Sequence, residues 1–176
     1  MSPILTGVIA SGISGNLTPP WSPEGAYDSL ATVTVPAGGV ASVTFAGIPN
    51  TYKHLQLRMS NTVGATIRFN GDTTTSNYRY HVLVGTGTNA IAATTANNAY
   101  SPAGGTTGTT VEILDILDYA NTSKNKTLRS LGGFGDVSTG EAYITSNLWM
   151  STAAINSITM TASFPQNSQF SLYGVK

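Results

Sequence analysis

His54-Leu55-Gln56-Leu57-Arg58-Met59-Ser60 alternates without a break. Leu55, Leu57 and Met59 fall on one side of an extended chain, and His54, Gln56 and Arg58 fall on the other. A period of two is the mark of a strand that buries one face and wets the other. Residues 52–60 are therefore read as a β-strand.

The same reading spreads in both directions. Residues 27–35 are rich in Thr and Val and are turned by Pro36-Ala37-Gly38-Gly39. Val40, Ser42 and Thr44 alternate with Ala41, Val43 and Phe45, and Gly47-Ile48-Pro49-Asn50 follows as a loop. Residues 66–69 form a strand ended by Asn70-Gly71-Asp72, a strong turn signal in which Asp72 serves turn geometry. In 78–84, Tyr78, Tyr80 and Val82 share a side. Residues 85–108 are mostly Gly, Thr, Ala and Asn, and are expected to be long loops with one short strand or helical turn.

Residues 110–119 are the most apolar stretch and are expected to be a central strand. Its apolar side is read as Val111, Ile113, Leu117 and Tyr119, interrupted by Asp115, with Glu112 and Asp118 opposite. A buried carboxylate needs partners, which Lys or Arg of the next strand would supply to Asp115. Residues 127–131 follow. Ala142, Ile144, Leu148 and Met150 then alternate with Tyr143, Thr145, Asn147 and Trp149. Ile158, Met160, Ala162 and Phe164 make another strand face, and 170–175 is the last strand. The expectation is eight or nine strands, no helix beyond about two turns, and an all-β, two-sheet antiparallel sandwich of jelly-roll type.

The N-terminal 24 residues read differently. Residues 1–23 carry no charge, yet hold Ile4, Leu5, Val8, Ile9, Ile13, Leu17 and Trp21. Gly7, Gly12 and Gly15 break any helix, and Pro19, Pro20 and Pro23 fix an extended path. Residues 1–24 are expected to be a docking arm and 25–176 the sandwich domain. Fully extended, the arm reaches at most about 80 Å. It lacks the basic start of a signal peptide, and no run approaches the ~20 apolar residues of a spanning helix. A soluble, cytosol-made chain with no membrane partner is expected.

Composition narrows the function. Lys+Arg and Asp+Glu are 8 each, and only 9% of residues are charged, against a usual share of about 25%. So little basic charge argues against nucleic acid. A neutral surface lacks the repulsion that keeps free proteins apart, and suits one covered by partners. Cysteine is absent, which excludes disulfides and thiolate chemistry. The histidines, His54 and His81, lie near no G-x-S-x-G elbow, and His54 is on the polar side of its strand. Glu112, Asp115 and Asp118 do not share a strand face, so structural pairing is preferred to a metal site, and no cofactor is expected. Gly132-Gly133-Phe134-Gly135 precedes no helix pattern and is read as a bend in a strand. Asn16, Asn121 and Asn125 begin glycosylation sequons of a kind such a composition produces by chance. Tyr27, Tyr52, Tyr78, Tyr80, Tyr100, Tyr143, Trp149 and Tyr173 offer rings for sugar stacking or for half-buried strand positions.

Six stretches together resemble a known family. They are Gly25-Ala26-Tyr27-Asp28-Ser29-Leu30-Ala31-Thr32, Ile48-Pro49-Asn50-Thr51-Tyr52-Lys53-His54-Leu55-Gln56-Leu57-Arg58, Phe69-Asn70-Gly71-Asp72, Ile116-Leu117-Asp118-Tyr119-Ala120-Asn121, Leu148-Trp149 and Phe170-Ser171-Leu172-Tyr173-Gly174-Val175-Lys176. The chain from about residue 25 onward resembles a domain of virion structural proteins of tailed bacteriophages. The resemblance implies a β-sandwich displayed on a particle, either as a capsid decoration (cement) protein or in a tail fibre. The expectation is a non-enzymatic virion protein whose arm docks on the major capsid or tail protein, with the body a homo-oligomer, expected to be a trimer. The alternative is a tail module that recognises host surface glycans through loops near 85–108 and 132–140. An enzyme such as a depolymerase would need a carboxylate pair, and none is evident in the sequence.

Overall fold

The computed structural model describes residues 25–61, 63–96, 99–101, 110–135 and 140–176. Residues 1–24, with the apolar side chains read as a docking arm, lie outside the described residues. Twelve strands are present among those described: β1 (Tyr27–Thr34), β2 (Val40–Ala46), β3 (His54–Asn61), β4 (Ala65–Phe69), β5 (Tyr78–Gly85), β6 (Ala90–Ala96), β7 (Ala99–Ser101), β8 (Thr110–Ile116), β9 (Lys126–Gly135), β10 (Gly140–Trp149), β11 (Ser157–Phe164) and β12 (Gln169–Val175). The one described helical element is a three-residue 3₁₀ turn, Thr75–Asn77.

The strands form two antiparallel sheets, ordered β1-β12-β3-β8-β9-β10-β5-β6 and β2-β11-β4-β7. Four pairings are nested: β1 with β12, β2 with β11, β3 with β8 and β4 with β7. A long hairpin rolled up on itself gives this arrangement, which is the jelly-roll order. The expected all-β sandwich is what the chain forms. The strands beyond the eight of the nested jelly roll are two insertions. β5 and β6 interrupt the chain between β4 and β7, and β9 and β10 interrupt it between β8 and β11. Together they widen the first sheet by four strands. The Ala/Thr-rich residues 90–96, expected mostly as loop, are strand β6.

The core sits where the two sheets overlap. Leu55, Leu57 and Met59 of β3 point into it, with Leu114 and Ile116 of β8 and Phe170 and Leu172 of β12. Phe45, Ile67, Phe69, Ile158, Met160 and Phe164 face them from the second sheet. At one end Phe69, Tyr78 and Trp149 cluster, with Phe69 and Trp149 ring centroids 5.4 Å apart.

The Asn70-Gly71 turn behaves as its sequence requires. Both residues have positive φ, 53° and 68°, and the Asp72 amide donates to the Phe69 carbonyl at 2.8 Å. That is the mirror-image turn that a twisted ribbon accepts. Asp72 then does more than turn. Its carboxylate accepts from Asn77 Nδ2 and Trp149 Nε1, both at 2.8 Å, and from the Thr74 amide at 2.9 Å. These donors, Asn77 first and Trp149 next, hold its pKa down at about 2.

Lys126 is fully buried. Its ammonium donates to the carbonyls of Asn121, Lys124 and Thr152 at 2.6, 2.9 and 3.1 Å. Three acceptors satisfy its three donors and tie the loop before β9 to the loop after β10.

Candidate interaction face

Residues directly opposite in antiparallel strands share a face. Register therefore decides which side chains form a surface. On the first sheet, Ile113 of β8 pairs with Leu131 of β9, Leu131 with Ile144 of β10, Ile144 with Leu83 of β5, and Leu83 with Ala92 of β6. Five strands place one row of apolar side chains across the sheet. The row lies on the outer side, away from the second sheet. Leu131 is 60% exposed, Ile144 56%, Leu83 52% and Ile113 40%. Val111, next on β8, is 59% exposed. Two shallow hollows of about 300 and 410 Å³ flank Ile144.

A second row runs beside the first, two residues along each strand. It is Val111, Gly133, Ala142, Gly85 and Ala90. Apart from Val111 these side chains are small. The outer surface of β9, β10 and β5 is thus a ridge of large residues next to a trough of small ones.

The third row, on the ridge's other flank, is polar: Asp115, Arg129, Ser146 and His81. Arg129 Nε meets Asp115 at 3.2 Å, Gln56 donates to Asp115 at 2.9 Å, and Arg58 donates to Gln56 at 2.8 Å. An uncharged apolar band bordered by a hydrogen-bonded polar edge is the usual anatomy of an interaction surface.

The inner side of β9 and β10 carries polar side chains between Leu128, Tyr143 and Trp149. Ser130, Thr145 and Asn147 are buried. The Thr145 hydroxyl bonds Ser130 at 2.6 Å and accepts from Asn147 at 2.9 Å. Glu112 and Tyr143 are also buried, with the Tyr143 hydroxyl 3.4 Å from the Glu112 carboxylate. Gly132 lies between them in the row, and a Cβ there would meet the Tyr143 ring at 2.6–2.7 Å. Only glycine lets that ring cross β9.

Side chains on two strands fix this arrangement. Trp149 joins the aromatic cluster and must be inside, so Asn147, Thr145 and Tyr143 follow it by parity. Leu114 and Ile116 seal the core under β3, so Glu112 goes inward with them and Val111 and Ile113 go out. The reading of residues 110–119 is corrected here. The buried acid is Glu112, Asp115 faces outward, and the strand ends at Ile116. Asp118 lies in a turn with φ of 48°. The predicted partner of Asp115 from the next strand is present, as Arg129.

The other chemical candidates are occupied structurally. His54 Nδ1 accepts the Asp118 amide at 2.9 Å and lies 3.4 Å from its carboxylate. Lys124 pairs with the same carboxylate and, as the main cause, lowers its pKa. His81 is exposed on β5. Glu112, Asp115 and Asp118 do not converge, and no metal-binding group of His, Asp or Glu occurs among the described residues. Of the rings weighed for sugar stacking, Tyr78, Tyr143 and Trp149 are buried. Tyr27 is 45% exposed. It meets Tyr173 edge-on at 6.5 Å, with Arg58 over both rings. Much of the loop sequence proposed for glycan contact, residues 97–98, 102–109 and 136–139, lies outside the described residues.

Sequence reasoning missed the outer row. Leu83, Leu131 and Ile144 are unremarkable in their own strands and form a surface only when registers are known. No local signal marked Lys126 either.

No family model, curated protein or solved structure matches this chain.

Proposed function

We propose that this protein is a non-enzymatic structural component of a bacteriophage virion, a capsid decoration protein that docks on the particle through residues 1–24. The observation that carries this reading is the outer face of β8, β9, β10 and β5. Roughly 400 Å² of uncharged apolar surface on one sheet face is in the range where patches serve contact with other molecules. The jelly-roll order is used by viral capsid domains, though also by lectins and cupins, so the order supports the reading without specifying it. The charged side chains with visible partners are engaged in structure: Asp72 on Trp149, Lys126 on three carbonyls, Asp118 on Lys124.

Residues 1–24 supply the anchor. Ile4, Leu5, Val8, Ile9, Ile13, Leu17 and Trp21 give an uncharged chain side groups to bury in a groove of the major capsid or tail protein. An extended segment of that kind adds to an exposed sheet edge. Copies that also contact each other gain avidity from several weak contacts at once. The test is deletion of residues 1–22. The body should keep its circular dichroism spectrum and fail to join purified particles. A truncated chain that decorates particles at wild-type copy number would end the proposal.

A second reading, a tail module recognising host glycans, is favoured by Tyr27 and Tyr173 on the outer face. An aromatic pair topped by a guanidinium presents both a stacking surface and hydrogen-bond donors. Glycan-array binding lost on Tyr27→Ala would support it. Copy number per particle separates the two locations, many for a capsid and few for a tail.

A further inference from the structure

We infer that the outer face of β8, β9, β10 and β5 binds a second copy of this chain, face to face about a two-fold axis. The inference deepens the assembly reading by naming the occupant of that face, and it rests on that reading for the idea that the face exists to be covered.

Shape identifies the occupant. A surface with a ridge beside a parallel trough is complementary to itself. Rotation by 180° about an in-plane axis midway between the two rows lays each ridge in the other copy's trough. On β9, β10 and β5 the rows are matched for this, while on β8 both members, Ile113 and Val111, are large. Leu131 comes opposite Gly133 of the second copy, Ile144 opposite Ala142, and Leu83 opposite Gly85. Large meets small at three successive strands. A two-fold contact of this type uses one patch twice, so its complementarity has to be present within a single chain.

Electrostatics permits the approach. Neither row contains a charged residue. The nearest charges are Asp115 and Arg129, paired with each other on the flank, and Arg58, which stands opposite Ile113 at the end of the ridge and is engaged by Gln56 and the rings of Tyr27 and Tyr173. Two such faces meet without burying an unpaired charge. Size is sufficient. Five strands about 4.8 Å apart and some seven residues long, the polar flank included with the apolar rows, give a patch near 500 Å², or about 1,000 Å² for both copies, the lower bound for a specific interface. Packed sheets sit about 10 Å apart, a gap that one layer of Leu and Ile side chains fills.

The full-length chain should sediment as a dimer between about 1 and about 100 µM, the range suited to an interface of this size. The double variant Leu131→Lys, Ile144→Lys should weaken dimerisation at least tenfold while keeping the spectrum and melting temperature of dilute protein. Because the natural chain has no cysteine, Ile144→Cys should be joined into a covalent dimer by a flexible bis-maleimide reaching about 10–15 Å, the span across two packed sheets and one row. A monomer throughout, a trimer, or no covalent dimer overturns the inference. Among the described residues, β6 is the uncharged edge strand of the first sheet. A dimer broken by Ala93→Lys on that edge but not by the ridge variant would also overturn it. A chain that dimerises through this face yet never joins a particle leaves the inference standing and ends the virion reading. A chain that joins particles as a monomer does the reverse.

Discussion

In β3 and β12 the side chains that enter the sandwich are Leu55, Leu57, Met59, Phe170 and Leu172, and Gln56, Arg58 and Ser171 line the outer face. In β9 and β10, farther along the same sheet, Ser130, Thr145 and Asn147 enter, and Leu131 and Ile144 stay out. One half of the sheet follows the ordinary partition, and the middle of β9 and β10 inverts it. The first half lies over a second sheet built of Phe45, Ile67, Phe69, Ile158 and Met160, and so closes an apolar core. The second half was recruited to the sheet edge by two insertions. Its inner side is stabilised by hydrogen bonds, and its outer side keeps the apolar area. Burial on one face and adhesion on the other are therefore separable properties of a single sheet.

Four experiments break or sharpen that contrast, the largest effect first. Leu57→Ala removes a fully buried side chain from the ordinary half and should cost about 3 kcal/mol in chemical denaturation. Asp72→Ala takes the acceptor from Trp149, Asn77 and the Thr74 amide, where β4 of the second sheet adjoins β10 and β5 of the first, and should cost about 2 kcal/mol. The same carboxylate gives a pH signature. Its folded pKa of about 2 lies below the unfolded value of about 3.9. Its stabilising effect is therefore complete above about pH 4 and is lost as pH falls toward 2. Melting curves of Asp72→Asn should lack this component of the acid slope, and an unchanged slope would refute the assignment.

In the inverted half, Thr145→Val leaves Ser130 and Asn147 without their shared partner and should cost about 1–2 kcal/mol. Adding Ser130→Ala should recover part of that loss, because an absent pair costs less than an orphaned group. If the double variant is simply additive, the hydrogen bond does not stabilise this face. The smallest effect falls on the outer row. Leu131→Lys should change the stability of dilute protein by no more than about 0.5 kcal/mol, since the side chain is 60% exposed. A cost of several kcal/mol there would mean that the row is covered within the monomer.

The strands were legible because period-two alternation survives in nearly all of them. The run from His54 to Ser60 fixed both the position and the inner face of β3, since its two sides differ sharply in polarity. Residues 110–116 and 141–149 were harder. Val111 and Ile113 are as apolar as Leu114 and Ile116, and Ile144 as apolar as Tyr143, so local pattern favours neither face. Ala90–Ala96 has Ile91 as its one large β-former, too little to announce a strand, and pairs with β5 because β5 offers it an edge. The buried lysine gave no sign at all, because its three carbonyl partners come from loops that only the fold brings together.

Residue order alone dictates that this chain is built of strands, where most of them run, and that Asn70-Gly71 reverses the chain with a mirror-image turn. Those are local properties, set by side-chain alternation and by backbone conformations that few residues tolerate. Only the tertiary structure decided which side of β8, β9, β10 and β5 is hidden. An alternating strand has two equivalent ways up, and the choice belongs to its neighbours: Trp149 needed Phe69 and Tyr78, Leu114 needed Leu57, and every side chain two places along had to follow.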